Sequence, residues 1–315
     1  MLAYLAPGQG AQTPGMLNSW LADGPAKELL KMWSDAIDLD LLRLGTLAEG
    51  DEIKDTSNAQ PLIVAAGLLG AKRLNGRLNG RLNGELHNDM RISVVAGHSV
   101  GEITAAALAG VITEIDAMRL VRARGVEMAK AAALSPAGMS AVLGGDRAKV
   151  LQAIKELGLV AANDNGAGQI VAAGDLTALT KLAPEGARVR ALAVAGAFHT
   201  SYMETAVAPL RALAAQISVS EAKSGFISNK DGRVLTGGRE ILDRIVAQIS
   251  NPVRWDLCMQ TLATEVSGAI EVPPAGTLVG LLKRAVPIVE TFALKSSEDV
   301  TLAEEFVIRH QDEAK

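Results

Sequence analysis

Ser99 lies at the centre of the pentapeptide Gly97-His98-Ser99-Val100-Gly101. In a Gly-x-Ser-x-Gly pattern, the glycines remove side chains that would clash in a tight turn between a strand and a helix, and so expose the hydroxyl. The N–H groups at the start of the following helix, with that of Val100 nearest, would face an oxyanion formed at the serine. The pattern predicts a nucleophile; a glycine-rich turn with an incidental serine is the alternative.

A serine hydroxyl needs a general base near pH 7, and the chain offers four histidines. His87 adjoins a repetitive segment and His310 lies in a charged C-terminal stretch, so we predict that both are solvated. His98 is next to the serine, but its side chain is expected to point elsewhere. His199 lies between an apolar strand-like run and a predicted helix, at an element edge where sites are commonly built. It is the predicted base; a structural histidine at a helix start is the alternative.

Arg124 interrupts the apolar face of a helix predicted over about 116–133. The apolar residues of that face recur at helical spacing and are Ala117, Leu120, Val121 and Met128. A guanidinium that points inward must find an anion. Two partners remain open, an internal carboxylate or the carboxylate of a ligand held by the two prongs of the guanidinium.

The elements that must position these residues follow an α/β pattern. Strands are predicted over 2–6 and 91–96, and the second leads through the Ser99 turn into a helix. The later elements are strands 139–143, 159–162, 169–173 and 187–194, with helices 146–157 and 175–182. This βαββαβ order is ferredoxin-like. We therefore predict a hydrolase-like large domain with a parallel sheet, residues 1–135 and 196–315, and an inserted ferredoxin-like small subdomain, residues 136–195.

Composition limits the partners and the compartment. The formal net charge of −4 gives no broad basic field, so neither nucleic acid nor an anionic membrane is expected as a partner. Cys258 is the only cysteine, which fits a reducing compartment, and we predict that it is buried. The apolar start is too short for a signal peptide and no run reaches transmembrane length. We predict a cytoplasmic protein without a resident metal or cofactor, since no ligand cluster, dinucleotide fingerprint or P-loop occurs in the sequence.

These residues resemble the malonyl-CoA:acyl carrier protein transacylase family, which is related to the acyltransferase domains of fatty-acid and polyketide synthases. The resemblance covers nearly the whole chain. Its motifs occur in the family's order and are Pro7-Gly8-Gln9-Gly10-Ala11-Gln12, Gln60-Pro61, Gly97-His98-Ser99-Val100-Gly101-Glu102, Arg124-Gly125, Asn163-Asp164-Asn165 with Gly168-Gln169, Gly196-Ala197-Phe198-His199, and Asn251-Pro252-Val253-Arg254-Trp255.

The resemblance implies a role for each catalytic position. Ser99 would form the acyl ester, with His199 as its base. The backbone N–H groups of Gln9 and Val100 would form the oxyanion hole. Arg124 would bind the malonyl carboxylate, which is one of the two partners left open above.

The resemblance also implies positioning and specificity residues. The family orients its histidine through a backbone carbonyl near the Asn-Pro-Val motif, so Asn251 or a close neighbour is the candidate here. Phe198 matches members that take malonyl units, because a bulky ring leaves no room for the extra methyl of methylmalonyl. Asn163 and Gln169 would face the cleft from the small subdomain; a polar turn is the alternative.

The implied activity is transfer of a malonyl group from malonyl-CoA to the phosphopantetheine thiol of acyl carrier protein, through a malonyl-serine, for fatty-acid or polyketide synthesis. Coenzyme A and phosphopantetheine would enter as substrates, and we expect a monomer. Two alternatives remain. A serine hydrolase of the esterase or thioesterase type uses the same turn and the same serine-before-histidine order, and a non-catalytic docking module could keep the same fold.

The segment 73–84 consists of three tandem Arg-Leu-Asn-Gly copies. A period of four is too short for a solenoid unit, and Asn-Gly pairs favour turns. We predict an exposed loop expansion. A basic docking loop for an acidic carrier protein is the alternative, disfavoured because charged loops are usually just solvated.

Overall fold

The computed structural model describes residues 1–22, 24–81, 92–194 and 196–312, which form a mixed α/β fold with two sheets. The strands are β1 (Leu2–Ala6), β2 (Ile92–Gly97), β3 (Ala137–Gly144), β4 (Val160–Asp164), β5 (Gln169–Asp175), β6 (Ala187–Ala191), β7 (Gly225–Ile227), β8 (Val234–Leu235), β9 (Val253–Arg254), β10 (Gly268–Glu271) and β11 (Glu290–Ala293). The helices are α1 (Gly24–Ile37), α2 (Leu41–Thr46), α3 (Thr56–Arg81), α4 (Gly101–Leu108), α5 (Glu114–Ala132), α6 (Arg147–Glu156), α7 (Leu176–Lys181), α8 (Glu204–Ala214), α9 (Gly238–Ala247), α10 (Trp255–Glu265), α11 (Thr277–Ala285) and α12 (Val300–Asp312). Short 3₁₀ turns lie at Asn18–Leu21, Glu52–Lys54, Ser201–Met203, Gln248–Ser250 and Ser297–Asp299.

The larger sheet has the strand order β11-β10-β1-β2-β7-β8 and is parallel except for the β7 to β8 pair. All five residues of β1 are buried, as expected for a strand covered on both faces. The carboxyl ends of β1 and β2 are adjacent, with Ala6 paired to Gly97. Loops that follow neighbouring parallel strands meet at one edge of a sheet, where open α/β sheets bind ligands. The Pro7 to Gly10 loop and the Ser99 turn meet there.

The smaller sheet has the order β6-β3-β5-β4-β9. Its first four strands come from one segment and pair antiparallel, whereas β9 arrives from much later in the chain and pairs parallel with β4. One face of the sheet buries Val142 and Ile170 against Val150 and Ile154 of α6. The opposite face carries alternate residues such as Met139 and therefore points towards the rest of the molecule.

The prediction of an exposed loop at the Arg-Leu-Asn-Gly repeat is wrong for residues 73–81, which continue helix α3. Leu74 and Leu78 are buried, and Asn75 accepts a hydrogen bond from the Tyr4 hydroxyl at 2.8 Å. A period of four residues is close to the helical repeat of 3.6, so successive leucines share one face. The last three residues of the repeat lie outside the described part of the chain.

The C-terminal histidine is also placed differently from the prediction. His310 is buried, with Nδ1 3.0 Å from the Ser267 hydroxyl and Nε2 2.9 Å from the Glu290 carboxylate. The charged stretch folds as the amphipathic helix α12, and His310 lies on its inward side, with its ring 4.6 Å from that of Phe306. Cys258 is buried as predicted, and His87 lies outside the described residues. None of the helices described here is long and apolar enough to cross a membrane.

Candidate active site

Ser99 stands on the turn between β2 and α4 with a φ of 54°, a region that residues with a Cβ rarely occupy. The turn is very tight. A Cβ on Gly97 would overlap the backbone of Gly101, and one on Gly101 would overlap the carbonyl of Ala6. Glycine is therefore required at both positions, which is the physical basis of the pentapeptide pattern.

His199 is buried and its Nε2 lies 2.8 Å from the Ser99 hydroxyl oxygen, which is hydrogen-bonding distance. Its Nδ1 lies 2.9 Å from the carbonyl oxygen of Gln248. An Nδ1–H that donates to this carbonyl leaves the lone pair of Nε2 facing the serine, the tautomer that a general base requires. Asn251 contributes its own backbone N–H to the same carbonyl, at 3.1 Å. The carbonyl nearest the ring is thus that of a close neighbour of Asn251.

The protonation of His199 is set mainly by burial. Desolvation and, to a smaller extent, the charge of Arg124 lower its pKa from 6.5 to about 3, while the hydrogen bond to the Gln248 carbonyl acts in the opposite direction. The imidazole is therefore neutral at pH 7 and able to accept a proton.

Arg124 extends from α5 into the same site and is 2% exposed. Its Nη1 donates to the Gln60 side-chain oxygen at 2.7 Å. Its Nη2 donates to the Ser99 hydroxyl oxygen at 3.2 Å and to the Gln248 side-chain oxygen at 3.3 Å. Within the described ranges, no Asp or Glu forms an ion pair with this guanidinium. Burial lowers its pKa only to about 10, so it remains a cation with neutral partners at pH 7.

One cavity of about 290 Å³ brings the predicted site residues together. Those that line it are Ser99, His199, Gln9, Val100, Arg124, Phe198, Asn163 and Gln169. Asn251 does not line it. Asn163 and Gln169 reach it from β4 and β5 of the smaller sheet, and Phe198 precedes the base. The cleft between the two sheets thus contains every predicted residue except the histidine-orienting one.

Gln9 and Val100, the residues of the predicted oxyanion hole, both line this cavity. Among the described residues, no group accepts a hydrogen bond from the backbone N–H of Gln9 or of Val100. The Gln9 loop is held against the turn because the His98 N–H donates to the Ala6 carbonyl at 2.9 Å. Two N–H groups of residues that line the same cavity as the serine hydroxyl are candidates to receive a developing oxyanion.

Four buried amides in and around the site have no individual role among the predictions made from the sequence. They are Gln60, Asn165, Asn229 and Gln248. Gln60 and Asn165 belong to motifs of the resemblance, which could have marked them. Asn165 holds His98 away from the serine, with its side-chain oxygen 2.8 Å from Nε2 of that ring. Asn229 and Gln248 stand in no motif quoted above, and their contacts arise only from folding.

Comparison with known proteins agrees with this arrangement. The model of the acyl transferase domain matches residues 3–304. The chain belongs to the acyl transferase domain family. A malonyl CoA-acyl carrier protein transacylase of Mycobacterium tuberculosis is 52% identical over 304 residues, which cover 95% of this chain and 98% of that protein.

Solved structures give the same assignment. The crystal structure of MCAT from Mycobacterium tuberculosis has a TM-score of 0.90 and 51% identity, and the match covers 96% of this chain and 99% of that one. A malonyl-transacylase solved with a type II PKS acyl-carrier protein has a TM-score of 0.86 and 28% identity, with 97% and 99% covered. This family member is therefore an acyltransferase, with the serine and the histidine both in place.

Proposed function

We propose that the protein transfers a malonyl group from malonyl-CoA to the phosphopantetheine thiol of acyl carrier protein, for fatty-acid or polyketide synthesis. The observation that carries the proposal is Arg124, a buried cation 3.2 Å from the nucleophile and held by neutral groups. A buried cation that forms no ion pair with a carboxylate in the described part of the chain favours a substrate that brings a carboxylate to it. Relatives of the same length named as malonyl CoA-acyl carrier protein transacylases support the choice.

The reaction would run as two acyl transfers. Oγ of Ser99 attacks the thioester carbonyl while Nε2 of His199 takes the hydroxyl proton. The N–H groups of Gln9 and Val100 receive the oxyanion, the C–S bond breaks, and the proton passes to the sulfur of departing coenzyme A. In the second half the carrier's pantetheine thiol attacks the malonyl ester. His199 takes the thiol proton and returns it to Oγ as the ester bond breaks.

Substrate choice would lie with the residues that surround the acyl group. Arg124 would pair with the malonyl carboxylate through its two prongs. Phe198 would exclude the methyl branch of methylmalonyl, and Asn163 and Gln169 would contact the substrate from the smaller sheet. His199 would be oriented by the backbone carbonyl of Gln248, which also accepts the backbone N–H of Asn251.

We propose that residues 1–135 and 196–315, which contain the larger sheet, form a hydrolase-like domain. Residues 136–195 would form an inserted ferredoxin-like subdomain, and the βαββαβ order of β3 to β6 supports this division. The enzyme would act as a cytoplasmic monomer. It would need no metal or cofactor, because malonyl-CoA and phosphopantetheine are substrates and the serine and histidine carry the chemistry.

Intact-mass measurement tests the proposal. The protein is mixed with malonyl-, methylmalonyl- or acetyl-CoA, with Ser99→Ala as the control. We expect the wild type, but not Ser99→Ala, to gain the mass of a malonyl group from malonyl-CoA. The wild type should lose this adduct when holo acyl carrier protein is added. Free malonate in place of malonyl-carrier would identify a hydrolase instead. A wild type that gains no mass from malonyl-CoA would reject the proposal and favour the non-catalytic docking module.

A further inference from the structure

Asn229 lies beneath the active site rather than in it. Its side chain is 0% exposed and does not line the cavity. It follows β7, the strand that pairs with β2 on the side away from β1. From this position it makes several hydrogen bonds to backbone groups of the Ser99 turn.

The side-chain amide of Asn229 bridges the turn. Its Oδ1 accepts the backbone N–H of Ser99 at 2.8 Å, and its Nδ2 donates to the carbonyl of Gly97 at 2.7 Å. Its own backbone N–H donates to the carboxyl group of Glu102, in the first turn of α4, at 2.7 Å. One residue thus holds the end of the strand, the strained residue and the start of the helix.

The same oxygen also reaches the base. Oδ1 of Asn229 accepts a second hydrogen bond, from the side-chain amide of Gln248 at 3.2 Å. Gln248 is the residue whose carbonyl contacts Nδ1 of His199 and whose side-chain oxygen accepts from Arg124. A single atom therefore links the backbone of the nucleophile to the residue that orients the base.

We propose that Asn229 is a positioning residue that fixes the strained turn of Ser99 relative to the base His199. This inference rests on the function proposed above. Asn229 touches no reacting atom and acts only through these two residues. Placement matters because a small displacement of a reacting group costs a large factor in rate even when substrate still binds.

The chemistry of the site requires an amide at this position. The side chain must accept from two N–H groups at Oδ1 and donate to one carbonyl at its other atom. An ionised aspartate has no donor and would set an oxygen against the Gly97 carbonyl. A protonated aspartate supplies the missing O–H and so restores the pattern. Leucine, of similar size, offers neither donor nor acceptor.

The test compares Asn229→Asp and Asn229→Leu with wild type and with Ser228→Ala. Ser228 is the preceding buried residue, and its hydroxyl accepts only the backbone N–H of Lys230 among the described groups. Steady-state transfer from malonyl-CoA to holo acyl carrier protein is measured across pH, together with the rate of malonyl adduct formation. Melting temperatures and circular dichroism give the folded fraction, and rates are expressed per folded protein.

We expect Asn229→Asp at alkaline pH to lower kcat about 100-fold with little change in KM for malonyl-CoA. Both half-reactions should slow, because both use the same serine and histidine. As the pH is lowered the introduced carboxylate gains its proton, so the rate relative to wild type should recover, whereas the leucine variant stays impaired at every pH. Ser228→Ala should behave as wild type.

Three results would overturn the inference: a kcat close to wild type in Asn229→Asp, a rise in KM with kcat unchanged, or an equal loss in Ser228→Ala. If the leucine variant fails to fold, the pH recovery of the aspartate variant still decides the question. Failure of the proposed function is separable, because it would appear as a wild type that forms no malonyl adduct.

Discussion

Arg124 is stabilised in the cavity by oxygens that carry no formal charge. Gln60, Gln248 and the Ser99 hydroxyl each accept a hydrogen bond from it. A permanent internal carboxylate would compete with a substrate carboxylate for the same fork. Because these acceptors are neutral, the positive charge of the buried guanidinium is not balanced by them, and the site favours binding of an anionic group.

Replacing Arg124 with alanine should change substrate selectivity. A malonyl carboxylate would then be desolvated without a partner, a penalty of roughly 3 to 5 kcal/mol for a buried pair, so malonyl transfer should fall steeply. Acetyl transfer should fall much less, because acetyl-CoA has no carboxylate to pair. The measurement is kcat/KM for both donors with the melting temperature. Arg119→Ala, an exposed arginine on the same helix, is the control. Equal losses on both donors with lower stability would assign Arg124 a structural role.

Replacing His199 with alanine should lower the transfer rate by at least about 10³-fold while coenzyme A still binds, because the oxyanion donors and the cavity remain. His310→Ala is a matched control, since it removes another buried histidine, whose ring contacts Ser267, Glu290 and Phe306 instead of the active-site residues. It should lower the melting temperature without changing transfer per folded protein. Near-normal turnover in His199→Ala would show that another group takes the proton.

Sequence reasoning found the residues whose signal is local and missed those whose role is distant. Ser99 is marked by two glycines within two positions. Arg124 is marked by the apolar spacing of its own helix. Asn229 and Gln248 are ordinary polar residues in the sequence, 130 positions from Ser99 in one case and 49 from His199 in the other. Only folding of the chain brings such amides to the turn and the base.

At the level of elements, helix α3 shows how a pattern can be assigned the wrong period. Asn-Gly pairs taken singly favour turns. The leucines that recur every four residues favour a helix, and burial of Leu74 and Leu78 outweighs the poor helical propensity of glycine. Tertiary packing therefore decides the structure of this segment.

Two substitutions in the first copy of the repeat test that account. Leu74→Ala should lower the free energy of unfolding by about 2 to 5 kcal/mol, as expected for a buried leucine. Gly76→Ala should raise it by about 0.5 to 1 kcal/mol, because the glycine is exposed in a helix and a Cβ there would meet no atom within 4 Å. Chemical denaturation measures both. If neither changes stability, or Gly76→Ala lowers it, the segment is not a packed helix.

The strands of the smaller sheet show which parts of a fold can be predicted from the order of elements in the sequence and which cannot. The order βαββαβ was readable because each element follows the last within a few residues. The fifth strand of that sheet, β9, has only two residues and comes from the Asn-Pro-Val motif far along the chain. No local periodicity can predict such a pairing. Through it the smaller sheet is joined to the segment that carries the histidine-orienting carbonyl.

At the scale of the whole molecule, the buried carboxyl group of Glu102, next to the Ser99 turn, affects how stability depends on pH. Glu102 is 1% exposed and accepts the backbone N–H of Asn229. Burial raises its pKa from 4.5 to about 8, and the hydrogen bond and the charge of Arg124 oppose that rise. Between pH 4.5 and about pH 8, the Glu102 carboxyl group therefore keeps its proton in the folded protein but releases it in the unfolded chain.

This difference predicts how overall stability depends on pH. The contribution of Glu102 is fully present below pH 4.5 and is lost as pH rises to about 8, because the unfolded state then binds fewer protons than the folded one. Glu102→Gln keeps an oxygen for the Asn229 N–H but cannot ionise. The difference in free energy of unfolding between this variant and wild type should therefore grow in favour of the variant across that window, by up to about 1.4 kcal/mol per pKa unit. Urea denaturation at a series of pH values measures it, with the exposed Glu28→Gln as control. Parallel curves for wild type and Glu102→Gln would show that the carboxyl titrates alike in both states, and that the turn of Ser99 rests on an ionised group instead of a protonated one.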